Sequence, residues 1–103
     1  MKKLKGGWVE GSVQEFLELS DADMAYIETK RALAACLRRH RRRKKMTQVA
    51  LAAHLQTSQS RVAKMEAGDR SVSIDLIIQS LFRLGASPRQ IASAMAQAGP
   101  RAA

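Results

Sequence analysis

The sequence has little cysteine, proline or aromatic character and no long uninterrupted hydrophobic run. The lone cysteine, Cys36, excludes an intrachain disulfide and favours a reducing compartment. Four aromatic residues beside many alanines and leucines disfavour strands and favour helices. A bilayer span needs about 20 apolar residues, and no uncharged stretch of the sequence is long enough to be one. A signal peptide is not expected either, because Gly6, Gly7 and Glu10 stand where its apolar stretch would have to be. We therefore expect a cytoplasmic protein that does not contact a membrane.

Acidic residues are missing from the middle of the chain. Between Thr29 and Met65 there is no Asp or Glu, whereas eleven residues are Lys or Arg, seven of them within positions 38–45. Six of the nine acidic residues precede this segment, and the formal net charge of the chain is +9. The basic residues could simply form a solvated helix face. Seven positive charges within eight residues nevertheless favour a polyanionic partner.

Capping residues and apolar spacing predict a single all-α domain of five helices. The helices are expected at about residues 20–44, 48–55, 59–67, 73–84 and 87–98, with a short turn at 56–58. We expect this domain to cover residues 20–99. Residues 1–19 are expected to be an N-terminal extension with a possible short helix from Ser12, and residues 100–103 a tail. A chain of 103 residues with 46% hydrophobic content suffices for one such core.

Two short helices joined by a three-residue turn after a basic helix describe a helix-turn-helix by spacing. The strings TQVALAAHL at 47–55 and SQSRVAKMEAG at 58–68 carry a further likeness. Over about residues 33–91 the sequence resembles the lambda-repressor-like (XRE/Cro) helix-turn-helix family, and most of all HigA-type antitoxins of toxin-antitoxin operons. Gln56 stands where that family commonly has glycine, which disfavours a left-handed backbone there. Ala67 replaces a common asparagine and so removes a possible phosphate donor.

The resemblance implies a five-helix DNA-binding fold in which the third helix enters the major groove. Base contacts are then expected from residues near the start of that helix: Gln59, Ser60, Arg61 and Lys64. Phosphate contacts are expected from the ends of the first two helices: Gln48, Arg42, Arg43, Lys44 and Lys45. The resemblance also implies a structural salt bridge between Arg41 and Glu66.

Two apolar features outside the helix-turn-helix indicate protein contacts. Ile91 and Met95, with Pro88 and Ala98, form a stripe on the last helix, which predicts a homodimer that binds a palindromic operator. Trp8, Phe16 and Leu17 lie in an acidic stretch that DNA would repel. They are candidates for contact with a basic RNA-cleaving toxin, a partner that the resemblance implies, or they pack on the domain's own core.

No arrangement of catalytic residues is visible, so we do not expect an enzyme. Cys36 and His40 share a helical face, but with only His54 besides they cannot supply four metal ligands, and we expect neither metal nor cofactor. The sequence therefore predicts a DNA-binding repressor that acts as an antitoxin. The alternatives are a basic RNA-binding or ribosome-associated protein, and a protein-interaction module whose DNA binding is vestigial.

Overall fold

Five helices make up the part of the chain that the computed structural model describes, residues 18–98. They are α1 (Asp21–Arg43), α2 (Gln48–Leu55), α3 (Gln59–Ala67), α4 (Ile74–Arg83) and α5 (Pro88–Ala96). No strand occurs within these residues. The predicted all-α class is confirmed, and each helix begins and ends within about two residues of its expected bounds.

Part of the predicted N-terminal extension lies outside the described residues, and so does the tail at 100–103. Trp8, Phe16, Leu17 and most of the short helix expected from Ser12 are in that part. The described chain starts at Glu18, which lies in a turn with φ of 55°.

Every helix of the described chain starts at a serine or threonine whose side-chain oxygen accepts a hydrogen bond from the backbone N–H three residues later. These N-caps are Ser20, Thr47, Ser58, Ser73 and Ser87. Each cap accepts a hydrogen bond from a backbone N–H that has no partner within the helix. Such a cap stabilises the protein by about 0.5–2 kcal/mol. Two of them form full capping boxes, with Asp23 and Gln90 as the reciprocal acceptors.

Helix α1 is the centre of the packing and contacts α3, α4 and α5. Its Leu33 and Leu37 are fully buried among side chains from the other helices, including Leu51, Val62 and Ile77. The first buried residue of α1 is Lys30, so roughly the first third of this helix lies beyond the core.

The turn between α2 and α3 corrects one expectation. Gln56 adopts the left-handed conformation, with φ 58° and ψ 48°, although it is not a glycine. Its N–H donates to Ala53 O over 3.1 Å, and the Thr57 N–H donates to Ala52 O over 2.9 Å. These bonds satisfy the last carbonyls of α2 and reverse the chain, so that Ser58 can cap α3. The tight connection therefore outweighs the conformational preference of glutamine.

Candidate nucleic-acid interface

An ion pair between Arg41 of α1 and Glu66 of α3 anchors the helix-turn-helix. Arg41 Nε lies 2.6 Å from Glu66 Oε2 and Nη2 lies 3.0 Å from Oε1, a bidentate arrangement. The two side chains are only 11% and 4% exposed. Arg41 Nη1 also donates to Met46 O over 2.8 Å, which ties the loop before α2 to the pair. The hydrogen bond to Glu66 raises the pKa of Arg41, so the guanidinium stays charged.

Two glutamines extend this ion pair to the surface. Gln48 Nε2 donates to Glu66 Oε1 over 3.1 Å, and Gln59 Nε2 donates to Gln48 Oε1 over 2.7 Å. An ionised carboxylate only accepts hydrogen bonds, so Glu66 fixes which end of the Gln48 amide turns toward Gln59. We call Arg41, Glu66, Gln48 and Gln59 the Arg41–Gln59 network. It links α1, α2 and α3 and ends at the first residue of α3.

The outward face of α3 lies opposite its buried side chains. Val62 and Met65 pack in the core, whereas Ser60 and Lys64 are exposed and four residues apart, so they share the outer face. Arg61 is also exposed, but it lines a groove beside Gln79 and Arg83 of α4 and thus lies at the edge of this face.

A family comparison agrees with this geometry. A family model described as a helix-turn-helix domain matches residues 32–94, which is 63 of the 103 residues. The chain belongs to this helix-turn-helix family. The matched stretch of the helix-turn-helix domain contains the whole Arg41–Gln59 network and reaches from α1 into α5. No curated protein and no solved structure matches the chain, so the closer relation to HigA-type antitoxins stays a prediction.

The basic run beside the helix-turn-helix is divided between two sides of α1. Successive helical residues are rotated by about 100°, so Arg43 lies about 200° around α1 from Arg41, which faces α3. Arg43 lines a groove between α1 and α5. Arg42, Lys44 and Lys45 are exposed at the end of α1. Arg43, one of the five expected phosphate ligands, therefore lies on the side of α1 that faces away from α3.

The apolar stripe expected on α5 is also divided. Ile91 is 6% exposed and belongs to the core of the helix-turn-helix domain, whereas Met95 is 43% exposed. Pro88 is exposed as well. An interface on this helix would therefore rest on Met95, because Ile91 already packs within its own chain.

Sequence reasoning missed the contact between the two glutamines. A signal for it was present, since Thr47-Gln48 and Ser58-Gln59 are both an N-cap followed by glutamine. Glutamine at the first position of two consecutive short helices places two amides near one another whenever the helix starts converge. The convergence itself depends on the turn and the core, which the residue pattern does not specify.

Residues 18–98 show neither a metal site nor a membrane-spanning helix. No group of three His, Cys, Asp or Glu side chains that could hold a metal ion occurs there. None of the helices in that range has the length and apolar character that crossing a bilayer requires.

Proposed function

We propose that this helix-turn-helix protein binds a specific sequence of double-stranded DNA and represses transcription from it, with α3 in the major groove. The Arg41–Gln59 network carries this proposal, because it holds the first side chain of α3 in place beside an exposed outer face. An α-helix fits the major groove, where the residues at its N-terminal end reach the base edges. Membership of the helix-turn-helix family supports the same conclusion.

The exposed side chains of α3 suit base recognition. Gln59 donates one amide hydrogen to Gln48 and keeps its carbonyl oxygen and second hydrogen for an adenine, which glutamine pairs bidentately. Lys64 has three donors for the guanine O6 and N7 acceptors, and Ser60 can donate or accept. Arg61 would contact only those bases of the major groove that lie nearest to α4.

Phosphate contacts would come from around the start of α2. Gln48 uses one amide hydrogen for Glu66 and keeps the other for a phosphate oxygen. The first N–H groups of α2 and the positive end of its dipole favour the same ligand. Arg42, Lys44 and Lys45 add charge without sequence information.

Selection of binding sites from a random duplex library tests this function. We expect one sequence class to be enriched, with affinity falling roughly 10³- to 10⁵-fold between about 50 and 200 mM salt if a dimer contacts about six to ten phosphates. Lys64→Ala should change the preferred base at one position, at a cost of about 1–3 kcal/mol. The control Arg42→Ala should weaken every duplex alike. Equal or tighter binding to RNA of the same sequence would favour the RNA-binding alternative.

We further propose that the protein acts as a homodimer on a palindromic operator. Met95 supports this, because it is an apolar side chain on α5 that residues 18–98 leave 43% exposed. Met95→Asp should give a monomer in sedimentation at micromolar concentration, with half-sites in the wild-type complex about 34 Å apart or a multiple of it. Tyr26→Asp, which changes another exposed apolar residue, is the control and should leave the dimer intact.

The antitoxin role rests on charge. The acidic stretch before Lys30 includes Asp21 and Asp23 in the first turn of α1, which lies beyond the core. DNA repels such a surface, whereas a basic toxin would be attracted to it. Deleting residues 1–19 removes half of the six acidic residues before Lys30, together with Trp8, Phe16 and Leu17. The shortened chain should keep DNA binding and lose much of its affinity for the neighbouring gene's product. Unchanged affinity for that product would contradict the proposal, and so would loss of the fold.

A further inference from the structure

A groove lies between α1 and α5, with a volume of about 160 Å³. Its floor includes the buried Cys36 of α1 and the buried Ala94 of α5. Its walls carry polar side chains from both helices: Arg39, His40 and Arg43 from α1, and Gln90, Ser93 and Gln97 from α5. The groove therefore has a small apolar base and a rim that consists almost entirely of hydrogen-bonding groups.

The charge on this rim is of one sign. Arg39 and Arg43 are one helical turn apart, and within residues 18–98 neither has an ion-pair partner. Among residues 18–98, none of the side chains that line the groove is a carboxylate. Burial lowers the pKa of His40, and repulsion from Arg43, Arg39 and Lys44 lowers it further. The two arginines therefore supply fixed positive charge, and a negative ligand would favour a third positive charge on His40.

Helix α5 supplies neutral donors opposite these cations. The Gln90 Oε1 accepts a hydrogen bond from the Ser87 N–H over 2.9 Å, which leaves the amide NH₂ of Gln90 to donate into the groove. The Ser93 hydroxyl and the Gln97 amide are exposed on the same wall. Donors from two helices thus converge on one small volume.

We propose that this groove binds a small phosphate-bearing anion, at a site separate from the DNA-binding surface. Guanidinium groups match the geometry of phosphate oxygens and bind them through paired hydrogen bonds. With two arginines and a histidine that gains a proton on binding, the groove suits a ligand with two negative charges better than one with a single carboxylate. The groove lies about 200° around α1 from Arg41 and α3, so the ligand and a duplex in contact with α3 occupy different sides of this helix.

Titration of the ¹⁵N-labelled full chain with inorganic phosphate tests the site, with sodium chloride at matched ionic strength as the reference. We expect saturable amide shifts confined to the second half of α1 and to α5. The double variant Arg39→Gln/Arg43→Gln should bind phosphate about tenfold more weakly or worse, as expected for lost charge-assisted hydrogen bonds. Arg38→Gln/Arg42→Gln removes the same charge from the same helix and should stay within about twofold of the wild type.

Equal weakening in both double variants would overturn the proposal, because it would indicate a diffuse positive field instead of a site. Loss of two like charges relieves repulsion, so the fold should persist, and circular dichroism checks it. The single variant Arg43→Gln gives the same comparison against Arg42→Gln if the double variant does not fold.

Two further measurements separate this site from the DNA surface. Phosphate should raise the pKa of the His40 ring in the wild type but not in Arg39→Gln/Arg43→Gln, and no change in the wild type would contradict the site. Without phosphate, the affinity for duplex DNA should fall less in Arg39→Gln/Arg43→Gln than in Arg38→Gln/Arg42→Gln. An equal or larger loss would assign the groove to the DNA backbone and overturn a separate site.

Discussion

Gln59, the first residue of α3, donates a hydrogen bond over 2.7 Å to Gln48, the first residue of α2. Gln48 is oriented in turn by Glu66, and Glu66 by Arg41. An exposed side chain at the front of α3 is thereby held by a charge pair close to the core. Holding such a side chain before the ligand arrives reduces the entropy lost on binding.

The two glutamines should act as a unit on DNA. Gln48→Ala and Gln59→Ala should each weaken binding to the selected duplex by about 1–3 kcal/mol. The double variant should lose less than the two losses combined, with a coupling of at least about 0.5 kcal/mol. Fluorescence anisotropy with labelled duplex measures all three. Gln48→Ala combined with Lys64→Ala is the control pair and should be additive, since Lys64 lies on the outer face of α3.

Removal of Glu66 should destabilise the domain strongly. Glu66→Ala leaves the Arg41 guanidinium largely buried without its carboxylate, which costs about 3–5 kcal/mol. Replacing both residues, as Arg41→Met with Glu66→Leu, should cost less than Glu66→Ala alone, because no unpaired charge is then buried. Urea denaturation measures these differences. Asp75→Asn, at an exposed acid in the first turn of α4, should cost less than about 1 kcal/mol.

Gln56→Gly should stabilise the protein. A side chain in the left-handed region costs about 1–2 kcal/mol, whereas glycine costs about 0.5–1 kcal/mol in backbone entropy. The difference favours glycine by roughly 0.5–1 kcal/mol, and thermal denaturation should detect it. Gln56→Ala keeps the strained backbone and should change stability by less than about 0.5 kcal/mol. A destabilised glycine variant would show that the Gln56 side chain stabilises the turn.

Stability should fall on mild acidification because of His40. Its pKa is lowered in the folded chain, chiefly by burial, while an unfolded histidine titrates at about 6.5. Between these two values the unfolded chain binds more protons. The contribution of His40 is therefore complete above about pH 6.5 and is lost as the pH falls toward the folded pKa. Between about pH 7.5 and 5.5 the free energy of unfolding should decrease more steeply in the wild type than in His40→Gln.

The helices were predictable from the sequence because their signals are local. The five N-caps observed, from Ser20 to Ser87, are the residues that the capping patterns indicated. Each cap depends on a hydrogen bond between residues three apart, and apolar spacing determines which face is buried. The identities of nearby residues therefore predict both where a helix begins and which of its faces is buried.

Features that depend on how the helices meet were not predictable in this way. The preference of glutamine argued against a left-handed Gln56, but the short connection between α2 and α3 requires it. The apolar stripe on α5 predicted an interface, yet α5 turns Ile91 into the core and leaves Met95 exposed. The sequence could have predicted that the basic run is divided between two sides of α1. A rotation of about 100° per residue places Arg41 and Arg43 on different sides of that helix.

Helix α1 carries opposite charges at its two ends. Asp21 and Asp23 occupy its first turn, and Arg41, Arg42 and Arg43 occupy its last, so the 23-residue helix separates these groups by about 30 Å. The electric field of a DNA duplex exerts a torque on a molecule whose charges are separated in this way. The basic end turns toward the duplex before contact, and the fraction of productive collisions rises. One continuous helix thereby gives the domain a preferred orientation of approach.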